Sequence, residues 1–77
     1  MAKHTRKAVE AALAAEARQL DATNHGTHRF NPIQRTLGAR CNWTATFVMI
    51  GSQLPLDAMH DALERVQTRM PIVDFRP

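Results

Sequence analysis

Five apolar side chains in the last third of the chain, Leu56, Met59, Leu63, Val66 and Met70, recur at steps of three and four residues. Steps of that size bring side chains to one face of an α-helix. The spacing predicts a helix from Pro55 to Arg69, with Pro55 in its first turn and Pro71 as its stop. Asp57, Asp61 and Glu64 lie toward the start and Arg65 and Arg69 toward the end, an order that complements the helix dipole. A stripe of this kind must cover a sheet or meet a partner.

Strand-like segments flank the helix. From Trp43 to Ile50, Trp43, Ala45, Phe47 and Met49 fall on one side and Thr44, Thr46, Val48 and Ile50 on the other. That alternation in a stretch rich in β-branched and aromatic residues predicts a strand, ended by Gly51-Ser52. Ile33 to Leu37 reads as a shorter strand ended by Gly38, and Ile72-Val73-Asp74-Phe75 as the start of another. The expected fold is an α+β or α/β fragment: an N-terminal helix, a short strand, a strand, the amphipathic helix, and the start of a strand. Strand, helix and strand in this order form the βαβ edge of a larger layered domain.

The first helix is expected over residues 6–22, alanine-rich and capped by Thr5. Val9, Ala12, Leu13, Ala17 and Leu20 form its apolar side, but Glu16 falls inside it, so this helix holds by propensity more than by burial. Asn24-His25-Gly26 stops it, and residues 23–34 read as a linker. The expected division is a basic, alanine-rich helix and linker over 1–30 and a partial domain over 31–77.

Composition narrows the function classes. A chain of 77 residues allows one small domain, and such domains bury only about 60% of their unfolded surface. One Trp and three Phe make a thin set of anchors, so the apolar faces are expected to need a partner or further sequence. The net charge of +3 comes from the N-terminal side, where Lys3, Arg6, Lys7, Arg18, Arg29 and Arg35 face Glu10, Glu16 and Asp21. These cations are not clustered as a nucleic-acid patch requires, so nucleic acid is not the expected partner. No segment reaches the roughly 18 apolar residues that span a membrane. The run from Ala8 to Ala15 contains Glu10 and is no signal-peptide core. The single Cys41 rules out an internal disulfide framework and fits a reducing compartment, so a cytoplasmic location is expected.

Several short elements carry a family likeness. Arg35-Thr36-Leu37 forms an Arg-x-Leu element. It is followed by Phe47-Val48-Met49-Ile50-Gly51, Leu54-Pro55, Ala62-Leu63, Val66-Gln67 and Arg69-Met70-Pro71-Ile72-Val73. In this order the segment from Arg35 to Phe75 resembles the N-terminal edge of the chloramphenicol-acetyltransferase-like superfamily, which includes condensation domains and alcohol acetyltransferases. Met70 stands where that family usually has His, and only Gly38 to Asn42 separate Leu37 from Trp43, a shortened connection. Residues 1–30 lie outside the resemblance. The family's base is the second His of a His-His-x-x-x-Asp-Gly motif, which is absent from these 77 residues. The resemblance therefore implies the non-catalytic N-terminal portion of an acyltransferase. In the full family domain an acyl-CoA or acyl-carrier thioester donates to a hydroxyl or amine. Arg35, Leu37, Leu56, Met59, Leu63, Val66, Met70 and Pro71 are the structural or interaction positions, and no catalytic, cofactor or metal residue is assigned. The implied partner is the rest of that domain.

Other chemistry is thinly supported. His25, His28, Cys41 and His60 do not have paired zinc-ligand spacing and read as scattered surface groups. A nucleophilic pair of Cys41 with His60 or His28 has no motif to orient it. The alternative to a framework role is a small interaction module docking through the Leu56–Met70 face.

Overall fold

The computed structural model describes residues 3–76. Its elements are β1 (His4–Thr5), α1 (Arg6–Thr23), β2 (Thr27–Phe30), β3 (Gln34–Arg35), β4 (Trp43–Thr44), β5 (Phe47–Ile50), α2 (Leu56–Arg69) and β6 (Val73–Asp74). The fold is a small α+β arrangement of two helices and short strands.

The strands from β2 to β5 are two arms of one long hairpin. β2 pairs antiparallel with β5, His28 opposite Met49 and Phe30 opposite Phe47, and β3 pairs antiparallel with β4, Gln34 opposite Thr44. The stretch from Phe30 to Gln34 is one residue longer than its partner from Thr44 to Phe47. An extra residue of this kind kinks a hairpin arm and breaks the ladder locally. Pro32, which has no N–H to give, lies in the kink. The Asn31 amide donates to the Thr46 carbonyl at 2.9 Å, while the Ile33 amide leaves the ladder and donates to the Glu10 carboxylate of α1 at 3.1 Å. The strand expected over 43–50 is therefore interrupted at Ala45-Thr46.

After α2 the chain returns beside the hairpin. β6 pairs parallel with β1, His4 opposite Val73. Asn42 joins this pair to the hairpin by acting as a strand itself. Its side-chain oxygen accepts from the Val73 amide and its side-chain nitrogen donates to the Val73 carbonyl, both at 2.8 Å. Its own amide donates to the Pro71 carbonyl at 3.1 Å.

The core combines both helices with the hairpin. Val9 and Leu13 of α1 pack with Ile33, Trp43, Ala45, Leu63, Val66 and Val73, and Phe30, Cys41, Met70 and Phe75 close its margin. A boundary between residues 30 and 31 thus cuts through one core, because α1 and β2 supply part of it. The linker expected over 23–34 contains β2, held to β5 by the hairpin ladder. Glu16, inside the apolar side of α1, reaches across the helix pair to Arg65, with Nε and Oε1 2.7 Å apart. Thr5 caps α1 as expected, its hydroxyl accepting from the Ala8 amide at 3.1 Å. Pro55 sits one position earlier than expected, as the N-cap of α2.

Candidate functional site

The residues singled out by the sequence separate into two groups. Met59, Leu63 and Val66 are buried in the chain's own core, and Met70 is half-buried against it. Leu56, the first member of the stripe, is 63% exposed. The stripe therefore covers this chain's hairpin and first helix, and only its leading end offers surface to a partner. A docking face spanning Leu56 to Met70 is not available in this fold. Met70 and Pro71 work through their backbone: the Met70 carbonyl accepts the Trp43 indole N–H at 2.8 Å, and the Pro71 carbonyl accepts from Asn42.

Arg35 and Leu37 lie at the far end of the hairpin. Leu37 is 98% exposed at the tip. Arg35 lines a shallow depression of 520 Å³ with Lys3, Asn42, Asp74 and Arg76. Arg76 is bound to Asp74 there at 2.7 Å, which holds the Asp74 carboxyl well below the usual carboxylate range.

The cysteine–histidine pairings considered from sequence are not formed. Cys41 directs its thiol at the Trp43 carbonyl, 3.3 Å away. His60 is exposed and stands edge-on to Phe47, their ring centres 5.1 Å apart. Trp43 is 1% exposed, so it has no free face for a nucleic-acid base.

The structure brings together three residues that sequence reasoning left apart: Asp21, His28 and Ser52. Asp21 is in the last turn of α1, His28 points inward from β2, and Ser52 follows β5. Two glycines make this convergence sterically accessible. Gly26 turns the chain from α1 into β2 with φ of 98°, and Gly51 turns it out of β5 with φ of 67°. A side chain at Gly26 would place its Cβ 2.6 Å from the Ile50 carbonyl oxygen. That contact and the positive φ both favour glycine.

His28 is wholly buried at its side chain, and each ring nitrogen has its own partner. Nδ1 lies 2.8 Å from Asp21 Oδ1, and Nε2 lies 2.7 Å from Ser52 Oγ. The same Asp21 oxygen accepts from the His28 backbone amide at 2.8 Å. A carboxylate can only accept, so in the neutral ring Nδ1 carries the proton and Nε2 is left to accept the serine hydroxyl. The two donors from His28 hold the Asp21 carboxyl below its ordinary range. Ser52 Oγ also accepts from the Leu54 amide at 3.1 Å. Read as part of a linker, His28 looked like a surface group. The alternation of Thr27-His28-Arg29-Phe30, which turns His28 and Phe30 to one side, was the signal for an inward histidine.

No protein-family model, curated protein or solved structure matches this chain.

Proposed function

We propose that residues 35–75 are the framework edge of an acyltransferase of the chloramphenicol-acetyltransferase-like superfamily. In this reading the acyl-CoA or acyl-carrier thioester, the hydroxyl or amine acceptor and the His-His-x-x-x-Asp-Gly base belong to the rest of the domain. The observation that carries the reading is the succession of β4 and β5, α2 and β6, with the α2 stripe laid on the hairpin, in the order the resemblance implies. The strands flanking α2 lie in separate two-stranded sheets, β5 with β2 and β6 with β1, so the expected βαβ pairing is not formed among the described residues and the support is the element order alone. The role of Leu63, Val66, Met70 and Pro71 is then to fix α2 against its sheet, and Arg35 and Leu37 face the remainder of the domain. Within residues 3–30, α1 and β2 pack on the same core and β1 pairs with β6. The unpaired Cys41 suits work in the reducing cytoplasm.

Burial of Met59, Leu63 and Val66 weighs against the alternative of a module docking through that face. Sequencing the locus downstream of the codon for Pro77 tests the framework reading. A continuing or resumed frame that encodes further strands, helices and a His-His-x-x-x-Asp-Gly motif supports it. A locus without any such motif overturns it.

A further inference from the structure

The chain Asp21–His28–Ser52 has no part in the framework reading, yet its atoms are ordered for chemistry. We propose that Ser52 is an acyl-accepting nucleophile, with His28 as its general base and Asp21 as the positioning residue, acting on small activated acyl esters. This goes beyond the framework role and does not depend on it.

Three observations carry the proposal. The first is the order of contacts: carboxylate on Nδ1 at 2.8 Å and hydroxyl on Nε2 at 2.7 Å. Only that order leaves the imidazole lone pair facing the serine proton, which is how serine nucleophiles are recognised on unrelated folds. The second is rigidity. Asp21 Oδ1 holds both the ring and the backbone amide of His28, and the ring is wholly buried, so its tautomer and direction are fixed. The third is the setting of Ser52. It is half-buried on the turn after Gly51, and the Leu54 amide points at its Oγ. This contact, from an amide two residues on, fixes the direction of the Ser52 side chain and leaves its hydroxyl proton turned toward His28.

The step balances without a cofactor. Ser52 Oγ attacks the ester carbonyl carbon while its proton passes to His28 Nε2. The carbon–oxygen bond to the leaving group then breaks, and the imidazolium returns the proton to the departing alcohol or phenol. Acylated Ser52 remains until water, deprotonated by the same nitrogen, releases a carboxylic acid and restores the hydroxyl.

The test treats the full chain with p-nitrophenyl acetate, following nitrophenol release, intact mass and the position of the acetyl group by peptide mapping. We expect about one acetyl per chain, on Ser52, as an early burst. Ser52→Ala removes it, with the circular dichroism spectrum confirming the fold. If that variant unfolds, Ser52→Cys keeps a nucleophile at the position and is expected to carry the acetyl as a thioester. Asp21→Asn slows acylation by about 100-fold or more by disturbing the tautomer, and Asp21→Glu recovers most of the loss. A purely structural role would leave acylation absent in the wild type and unmoved in the Asp21 pair. Acetyl groups only on lysines or Cys41, or equal labelling of Ser52→Ala, would overturn the proposal.

Discussion

Replacing Trp43 with Phe is a demanding test of how the two halves of this chain are joined. Trp43 is 1% exposed and sits on β4 at the centre of the core. Its indole N–H donates to the Met70 carbonyl at the end of α2, and its own carbonyl accepts from the Gln67 side chain at 3.0 Å. Phe keeps an aromatic ring but deletes the indole donor and leaves a gap beside Met70. A buried acceptor that loses its partner costs about 1–3 kcal/mol. The missing ring atoms add about 1 kcal/mol of lost burial. The expected total is about 2–4 kcal/mol, a large share of the roughly 4–12 kcal/mol that a domain of this size holds. Urea unfolding followed by far-ultraviolet circular dichroism reads it, since the variant has no Trp to fluoresce. With a slope near 1 kcal/mol per molar, the midpoint should fall by about 2 M or more. A fall under about 0.5 M at unchanged slope would refute the reasoning, because the indole would then have no buried partner to lose.

Other perturbations separate the remaining contacts. Leu13→Ala on α1, a site 1% exposed, should cost about 3 kcal/mol in the same assay, whereas a helix outside the core would lose under about 0.5. Arg65→Ala should cost no more than about 1 kcal/mol, because Arg65 is more than half exposed and its pair with Glu16 loses strength in salt. Gly26→Ala should destabilise by more than about 1 kcal/mol through its φ of 98° and the Ile50 carbonyl, and an unchanged midpoint would contradict that turn geometry. Asp21 is held below its ordinary range, so its contribution is full above the unfolded value and disappears as pH falls through the folded one. Acid titration of stability should therefore show a steeper loss below about pH 4 in the wild type than in Asp21→Asn.

Different parts of the fold were readable from the sequence for different reasons. The α2 stripe was legible because its apolar residues are large and regularly spaced, and burying them leaves little choice of face. The strand faces around Trp43 and Ala45 followed from simple alternation. α1 was harder, because its buried side consists of Val9, Leu13 and Ala17, small or few against Glu16 in their midst. The partner that makes Glu16 acceptable there, Arg65, is distant in sequence. β2 was hidden for the same kind of reason. Thr-His-Arg-Phe is polar by composition, and His28 is inward only because Asp21 and Ser52 satisfy both nitrogens from separate elements. The alternation places His28 on the side of Phe30, but the partners that satisfy its two nitrogens have no signal in the sequence. The kink at Asn31-Pro32-Ile33 depends likewise on Glu10 receiving the amide released from the ladder. The role of Asn42 as a surrogate strand between hairpin and β6 has no signature in the chain at all.

Native-state hydrogen exchange on the intact chain tests the central claim, a single core built from α1, the hairpin and α2. The account predicts that core amides of α1, around Leu13 and Ala17, open with the same free energy as those around Leu63 and Val66 of α2, the value equal to the global stability from urea. Protection confined to residues 31–76, with α1 exchanging freely at a much lower free energy, would contradict it and restore a separate helix and linker over residues 1–30.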